Sequence, residues 1–455
     1  MATILDIPLG ADARALLYAL AVDGRALAVV GGAVRDAAMG REVRDIDVAA
    51  DATPDEIRGA CDGAAWCRRT FAVGERFGTV GVALADGSVV EVSGLRGGGI
   101  EADAGHRDFT ANALAMLWPS GELIDPCGGL GDIARGVLRA PGDPAARFAE
   151  DPLRILRAAR FVAELGFELD PSTAASAADA APRLTGVAVE RVRDELTRTL
   201  LAVHAAEGFA VALRTGALDA VLPEVAALHG LSQPTFHDLD ALAHTLQCVA
   251  NTPPSRMLRW AALLHDVGKA PCRSVDDDGR IRFFGHAQQG ALIAAAICER
   301  LRLPKADGRA IVHLVATHMR LGELDPDNPR AVDRAVRRLD LWETDTATPK
   351  RLVSAEDALE LTLADFAATA HRSEVDRVRG RLADAVAASR ERGTRDPVRP
   401  LLTGRELITA LEIAEGPLVG VAMRAIEDAI EAGSLVPGDR RAALDIARGA
   451  VRGES

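Results

Sequence analysis

The stretch VVGGAVRDAAMGREVRDIDVAAD, Val29 to Asp51, constrains the fold more than any other part of the chain. An apolar run ends in Gly31 and Gly32. A short helical pattern follows, and after a second glycine turn Asp45 and Asp47 lead into another apolar run. Residues i and i+2 of a strand point to one face, so the two carboxylates converge on one place. Like charges that close are costly unless a cation lies between them. Magnesium ions would neutralise them and hold a triphosphate. Gly31 and Gly32, between a strand and a helix, let backbone N–H groups approach an anion. Arg35, one turn on, adds a guanidinium for phosphate oxygens. Taken alone, the glycine pair is equally a tight turn before a surface helix, and the aspartate pair a solvated strand start. Their coupling points to a metal. Glu91, mid-strand in VVEVS, offers a third carboxylate to the same sheet face.

The rest of the first part fits that reading. ALAVV (26–30), DIDVAA (45–50), GTVGVAL (78–84) and SVVEVS (88–93) read as strands. TPDEIRGAC opens a helix with Thr53 as N-cap, Pro54 in the first turn and Glu56 completing a capping box. Such alternation implies a mixed sheet covered by helices. Beyond the Gly- and Pro-rich stretch at 125–144, which reads as a boundary, helical periodicity prevails. EDPLRILRAARFVAELGF reads as one helix closed by Gly166. Further boundaries fall near 229–238 and 392–400, and SVDDDGR (274–280) reads as a solvated hairpin tip. The class is α+β: a mixed sheet with helices, then an all-helical remainder.

At 455 residues the chain is long enough for two to four domains. Its six cysteines have no CxxC spacing, which argues against a zinc ribbon or a disulfide framework and fits a reducing cytoplasm. The first residues lack a basic n-region, so no signal peptide is expected, and no apolar run is long enough to span a bilayer. The net charge of −13 argues against a broad nucleic-acid surface and leaves room only for a local basic stripe.

HRDFTANAL (106–114) invites comparison with a kinase catalytic loop, which needs Asn five residues after the Asp. Here Asn112 is four after Asp108, and no suitable DFG follows. Instead GGAVRD (31–36), DID (45–47), RDFTANAL (107–114), DPCGGLGDI (125–133), EDPLRILRAARF (150–161) and ERVRDEL (190–196) resemble, in order, the motifs of the class II tRNA nucleotidyltransferase and bacterial poly(A) polymerase family. The resemblance implies a polymerase-β-like nucleotidyltransferase head over 1–139, a helical neck over 140–235 for base recognition and RNA binding, an HD domain over 236–371 and a helical tail over 372–455. It implies that Gly31, Gly32, Arg35 and Asp36 hold the incoming triphosphate and that Asp45 and Asp47, with Glu91, form the catalytic magnesium site. Arg107 and Asp108 would grip the nucleotide, the Asp at the ribose. Asp151 and Arg154, read as i and i+3 on one helix face, would choose C or A by presenting an acceptor and a donor to the base. Arg157 and Arg160 would continue that stripe toward phosphates or the RNA end. The partners implied are the tRNA 3′ end, CTP and ATP, in the cytoplasm and with no membrane; the oligomeric state is left open.

LLHDVGK (263–269) sets His265 beside Asp266 after an apolar run. With His244 upstream and Asp365 downstream the order resembles the HD family of metal-dependent phosphohydrolases. His286 and His318 fall where dinuclear members place further ligands. Such donors suit manganese, nickel, iron or cobalt, and magnesium more weakly, activating water against phosphoesters. His204, His229 and His313 have no such partners and read as ordinary. Two departures from the family pattern stand out. His106 replaces the usual first Arg of RRDFT, and the segment from Arg96 to Arg107 is short and glycine-rich. Family members commonly carry a longer flexible loop there that serves the switch from C to A, so the short segment implies addition of CC with poor addition of the terminal A. The alternatives are a poly(A) polymerase, which usually has a basic tail, and a phosphohydrolase of nucleotides or RNA ends in which HD chemistry dominates.

Overall fold

The computed structural model describes residues 3–73, 78–233, 239–343, 349–369, 372–392, 402–414, 416–431, 434–435 and 439–453. The boundary expected at 392–400 lies almost wholly outside these residues, and that at 229–238 partly so. The chain forms two compact units, residues 1–318 with 360–375, and residues 319–359 with 376–455.

The first unit begins with a seven-stranded sheet in the order β3-β4-β5-β2-β1-β6-β7. Its strands are β1 (Leu27–Val30), β2 (Ile46–Ala50), β3 (Cys67–Val73), β4 (Thr79–Leu84), β5 (Val89–Gly94), β6 (Ala115–Leu117) and β7 (Leu123–Ile124). The β2–β5 pair is parallel and the other pairs are antiparallel. All four strands expected from sequence are present within a residue or two of their ends. β3 escaped the reading because its exposed edge position needs no apolar alternation; β6 and β7 are too short to show one.

Alternation decides which face carries chemistry. Val29, Val48, Ala50, Val90 and Val92 pack with helices α1 (Ala11–Leu20) and α3 (Pro54–Cys61) into the main core. Ala28, Val30 and Ala49 face the other way. Asp47 and Glu91 therefore lie on that second face, and the β2–β5 register sets them side by side. α3 starts as expected: Thr53 Oγ1 accepts from the Glu56 N–H at 3.3 Å and Glu56 Oε2 accepts from the Thr53 N–H at 2.7 Å. Helix α2 (Gly32–Ala38) follows β1, and α4 (Ile100–Gly105) occupies the short segment before Arg107. The 125–144 stretch is not a loose linker. It holds α5 (Gly129–Arg135), whose buried Asp132 accepts from Thr110 Oγ1 at 2.7 Å.

Beyond it come α6 (Pro144–Glu150), α7 (Arg154–Leu165), α8 (Pro171–Ala180), α9 (Val189–Leu201) and α10 (Ala205–Arg214). The helix expected from Glu150 to Gly166 starts only at Arg154, and Glu150 closes the preceding helix. Pro152 biases the residue before it away from the α region, and Asp151 is extended at φ −147°, ψ 101°. Asp151 and Arg154 thus do not share a helix face. Two short helices, α11 (Ala217–Val221) and α12 (Pro223–Ala226), lead to α13 (Ala241–Asn251), α14 (Arg256–Leu264), α15 (Lys269–Cys272), α16 (His286–Arg300) and α17 (Lys305–Thr317). The SVDDDGR segment is the tip of the hairpin Ser274–Val275 with Ile281–Arg282, as expected. In the second unit, helices Gly404–Leu411, Pro417–Glu431 and Arg440–Arg452 bury Leu407, Ala422, Ile426 and Ala443 in a core of their own.

α7 is tied to α9 by a buried ion pair, Arg160 Nε to Glu195 Oε2 at 2.6 Å, with side chains 6% and 8% exposed. Removing one partner strands a buried charge, which costs about 3–5 kcal/mol. Arg160→Ala should lower unfolding free energy in urea by that order, and the apolar double variant Arg160→Met with Glu195→Leu should recover most of it. Equal losses in the single and double variants would show that the pair does not carry this joint.

Candidate functional site

The sheet face bearing Asp47 opens into a cavity of about 940 Å³, lined by Gly31, Asp45, Asp47, Glu91, Arg107 and Arg157 among others. The other nucleotide residues expected from sequence, Gly32, Arg35, Asp36, Asp108, Asp151, Arg154 and Arg160, also line it. Asp45 stands just before β2 and is exposed, as is Glu91. Burial together with the neighbouring Glu91 and Asp45 carboxylates pushes the Asp47 pKa up to about 6, against the pull of Arg107. A carboxylate raised by burial and by two neighbouring carboxylates, in a donor set that is all oxygen, fits a magnesium site. Gly31 adopts φ +74°, and a Cβ there would meet Arg107 Nη1 at 3.1 Å and Asp47 Oδ2 at 3.4 Å. Glycine lets these two charged groups crowd the strand end, where a side chain at position 31 would meet both.

The arginines of the cavity are mostly engaged. Arg35 is buried and donates to Asn112 Oδ1 at 2.7 Å and Asp36 Oδ1 at 2.9 Å. Arg154 donates to Glu150 at 2.9 Å and to the His106 carbonyl at 2.7 Å. Asp151 accepts from Arg191 at 2.7 Å, so the expected base-reading pair lines one cavity from two different elements. Arg157 donates to Asp108 Oδ2 through Nε at 2.8 Å and Nη2 at 2.5 Å. Asp108 Oδ1 accepts from the Phe109 N–H at 2.8 Å and from Asn112 at 3.0 Å. A carboxylate has about four acceptor positions, and all are taken by protein. Asp108 is therefore a joint in the protein scaffold, and its expected grip on ribose would require giving up one of these bonds. Arg157 and Arg160 are likewise turned inward rather than forming an open stripe, because the carboxylates of Asp108 and Glu195 neutralise them.

Two residues missed by the sequence reading organise the segment before Asp108. Asp103 is buried and accepts from Arg96 Nε at 3.0 Å and from Arg107 Nη2 at 3.0 Å. Their spacing, Asp103 one turn before Arg107 at i and i+4, was the available signal. Arg147 donates to the Gly105 carbonyl at 2.8 Å and to His106 Nδ1 at 3.2 Å. Arg147, from a different helix and paired with Glu150 at 2.8 Å, thus places a guanidinium beside His106.

A second cluster lies in the helical part of the same unit. His265, Asp266 and His244 offer ligand atoms within 4.8 Å of one another, and so do Asp266, His286 and His318, with Asp266 common to both. Asp365 Oδ1 lies 2.9 Å from His244 Nε2. In each histidine Nδ1 faces a backbone carbonyl: Ala368 at 3.2 Å, Ala262 at 2.8 Å, Phe283 at 2.9 Å and Val315 at 2.8 Å. A carbonyl only accepts, so Nδ1 carries the proton, and in the neutral ring Nε2 turns its lone pair into the cluster. His286 Nε2 faces His318 Nε2 at 3.3 Å, and buried His265 Nε2 has no hydrogen-bond partner. Converging lone pairs of this kind fit a divalent metal. Burial and the neighbouring His265 push the His318 pKa down to about 4. Burial opposes charge on Asp266, but His265 and Lys269 outweigh it and hold that carboxyl far below the usual range. Lys269, unassigned in the sequence reading, lies 2.6 Å from Asp266 Oδ2 and donates to Gln233 at 2.6 Å. His286 reaches the cluster because a Cβ on Gly268 would sit 2.0 Å from the His286 carbonyl oxygen.

Both regions match known families. Residues 27–139 match the poly(A) polymerase head domain, 166–228 the probable RNA- and SrmB-binding site of polymerase A, and 236–362 the HD domain. The A-adding tRNA nucleotidyltransferase of Deinococcus radiodurans is 38% identical over 91% of this chain and 94% of its own length. The CC-adding tRNA nucleotidyltransferase of Thermus thermophilus is 35% identical over 88% of each chain. The CCA-adding enzyme of Bacillus stearothermophilus, solved with CTP, shares the fold with a TM-score of 0.60 at 24% identity, covering 98% of this chain and all of that one. Among the described residues no helix is long and apolar enough to cross a membrane.

Burial alone would raise the Asp108 pKa, but Arg157 and Asn112 hold it well below the carboxylate range. A carboxyl depressed on folding stabilises the protein above its unfolded value of about 4, and that stability is lost as pH falls below it. Asp108→Asn should cost on the order of 2 kcal/mol at neutral pH, with the gap to wild type narrowing below about pH 4. Urea titrations across pH that give a constant gap would contradict the pairing. Gly268→Ala forces backbone apart and should cost about 1–3 kcal/mol. It should also weaken manganese binding at the cluster, read by calorimetry. Wild-type stability and affinity together would refute the close-approach role.

Proposed function

The chain belongs to the tRNA nucleotidyltransferase and bacterial poly(A) polymerase family, and from that premise we propose that it extends the 3′ end of tRNA with C and A from CTP and ATP, releasing pyrophosphate. The observation that carries this reading is the trio Asp45, Asp47 and Glu91 on one sheet face, with Asp47 driven up to about 6 by its neighbours. Magnesium held there would lower the pKa of the RNA 3′-hydroxyl and neutralise the pyrophosphate as it leaves. The residues of this chain do the rest. Gly31 and Gly32 open the strand end for the triphosphate. Arg107, braced by Asp103, presents positive charge over Gly31 and beside Asp47. Asp151 and Arg154 stand on the cavity wall as acceptor and donor for the base, from a loop and a helix start rather than from one helix face. Asp108, Arg157 and Arg160 hold that wall against the head. The proposed organisation is a head over 1–139, a neck over 140–235, an HD domain over 236–371 and a tail over 372–455.

The HD cluster is proposed as a phosphohydrolase site for RNA-end phosphates, with a divalent metal held by His244, His265, Asp266, His286, His318 and Asp365. Manganese, nickel, iron or cobalt suits this donor set better than magnesium. Lys269 keeps Asp266 ionised, and the Nδ1–carbonyl bonds fix all four imidazoles in the liganding tautomer. The extent of addition follows from the segment 96–107. It is short, and Asp103 clamps both its ends, Arg96 and Arg107. A segment so fastened favours CC as the product over a full CCA end.

Asp47→Ala should reduce CTP incorporation into a tRNA lacking CCA by roughly a thousandfold or more, the scale of losing a principal electrostatic element, and leave hydrolysis of a 2′,3′-cyclic phosphate intact. His265→Ala should do the reverse. Incorporation that survives Asp47→Ala removes the metal assignment. Sequencing the products made with all four nucleotides tests extent: CC supports the narrower reading, efficient terminal A addition ends it, and long A tails indicate a poly(A) polymerase.

A further inference from the structure

A second cavity, of about 610 Å³, adjoins the first. Arg157, Arg198 and Leu201 line both. The second is walled by the outer side of α9 and by Arg256, Leu303 and Pro304, which lie at or just before the starts of α14 and α17. Five arginines line it against two acids, Asp194 and Glu195, in a chain whose net charge is −13.

Four of those arginines already have carboxylate partners. Arg157 meets Asp108 at 2.5 Å, Arg191 meets Asp151 at 2.7 Å, Arg193 meets Asp194 at 2.8 Å and Arg256 meets Asp307 at 3.3 Å. Arg198 is exposed on α9, and among the described residues its side chain has neither an ion pair nor a hydrogen bond. One turn on, the chain leaves the helix with Leu201 37% exposed and Val203 81% exposed, both on the rim of the first cavity. An unpaired guanidinium beside an exposed apolar lip matches the two parts of a single-stranded nucleotide, a phosphate and a base face.

We propose that Arg198, with Leu201 and Val203, forms the seam over which the single-stranded 3′ end of the RNA passes from the second cavity into the first, Arg198 holding a backbone phosphate and the apolar lip supporting a base. The inference rests on the transferase reading for the identity of the RNA. A mononucleotide is accommodated by the first cavity, since small-molecule sites run to about 1,000 Å³. A second cavity that shares Arg157, Arg198 and Leu201 with the first gives room to a ligand that extends past one nucleotide, as a polynucleotide does. The triphosphate belongs at the opposite wall, where Asp45, Asp47 and Glu91 stand.

The test measures binding of full-length protein to a fluorescent tRNA transcript ending before CCA, across a salt series, beside steady-state CTP incorporation. Arg198→Ala should weaken RNA binding about 5- to 10-fold and lower the salt slope by roughly 0.7, the value for one single-strand phosphate contact. Arg198→Lys should retain most of the affinity and Arg198→Glu should lose more. KM for CTP should stay at the wild-type value. Arg58→Ala, which removes an exposed arginine of α3 outside both cavities, controls for charge alone and should change nothing. RNA affinity and salt slope equal to wild type in Arg198→Ala overturn the proposal, as does a rise in KM for CTP with RNA affinity unchanged, which would assign Arg198 to the triphosphate. A wild-type protein that binds the RNA through Arg198 but incorporates no CTP would uphold the seam and refute the transferase reading.

Discussion

The pairing of Asp108 with Arg157 is the interaction on which the rest of the site depends. A buried carboxylate must be matched by hydrogen-bonded positive charge or it does not stay ionised. Here the match comes from α7, while Asn112 supports the other oxygen and passes the connection on to Arg35 at the base of α2. On the far side Arg160 carries it to Glu195 on α9. Phe161 lies beneath this chain, with Arg160 4.0 Å from its ring centre, Arg157 5.5 Å and Arg35 5.4 Å. Five charged groups and an aromatic ring thus fix the sheet-bearing head against the helices that form the opposite cavity wall. Cavity shape is set by charge satisfaction rather than by apolar packing alone.

Much of this was legible in the sequence where a local rule governs. The strands at 27–30, 46–50, 79–84 and 89–94, the Thr53 capping box and the hairpin at 274–282 follow from alternation, caps and turns within a few residues. The grouping of the aspartate pair with Glu91, and of the histidines with Asp266, was legible because chemistry demands those residue types together. What escaped was decided by distant partners. Nothing near Arg157 in sequence announces Asp108, 49 residues away. A stripe of arginines at helical spacing looks the same whether it faces solvent or a row of carboxylates. The break at Asp151 is a different kind of miss: Pro152 was visible, and its effect on the preceding residue should have divided the helix. Lys269 and Asp103 were in view as well, but their roles appear only when their partners are placed.

The two metal-fitting clusters solve one electrostatic problem with different ligands. At the head, oxygen donors sit on a strand and its neighbour, open to a large cavity, as suits a cation that must also reach a triphosphate. In the helical part, three buried imidazoles and the half-buried His286 converge on one carboxylate, and each ring is held by a carbonyl behind it. Such an arrangement holds its side chains in place for a divalent metal. Both depend on a glycine where two charged or polar groups must approach closely, Gly31 at the head and Gly268 in the HD loop.

These differences bear on how two chemistries share one chain without interfering. A cation that arrives with a nucleotide suits carboxylates that are partly exposed, with Asp47 raised by burial and by its neighbours Glu91 and Asp45. The residues of the HD cluster instead sit beside a counter-charge, Lys269 against Asp266, with buried His265 Nε2 left for a metal. Charge at the head is therefore completed by the substrate, and charge in the HD cluster by the protein and its metal. The arginines obey the same division. In the second cavity those that bind carboxylates belong to the scaffold, and Arg198, without a partner among the described residues, stands where the substrate would bring the negative charge.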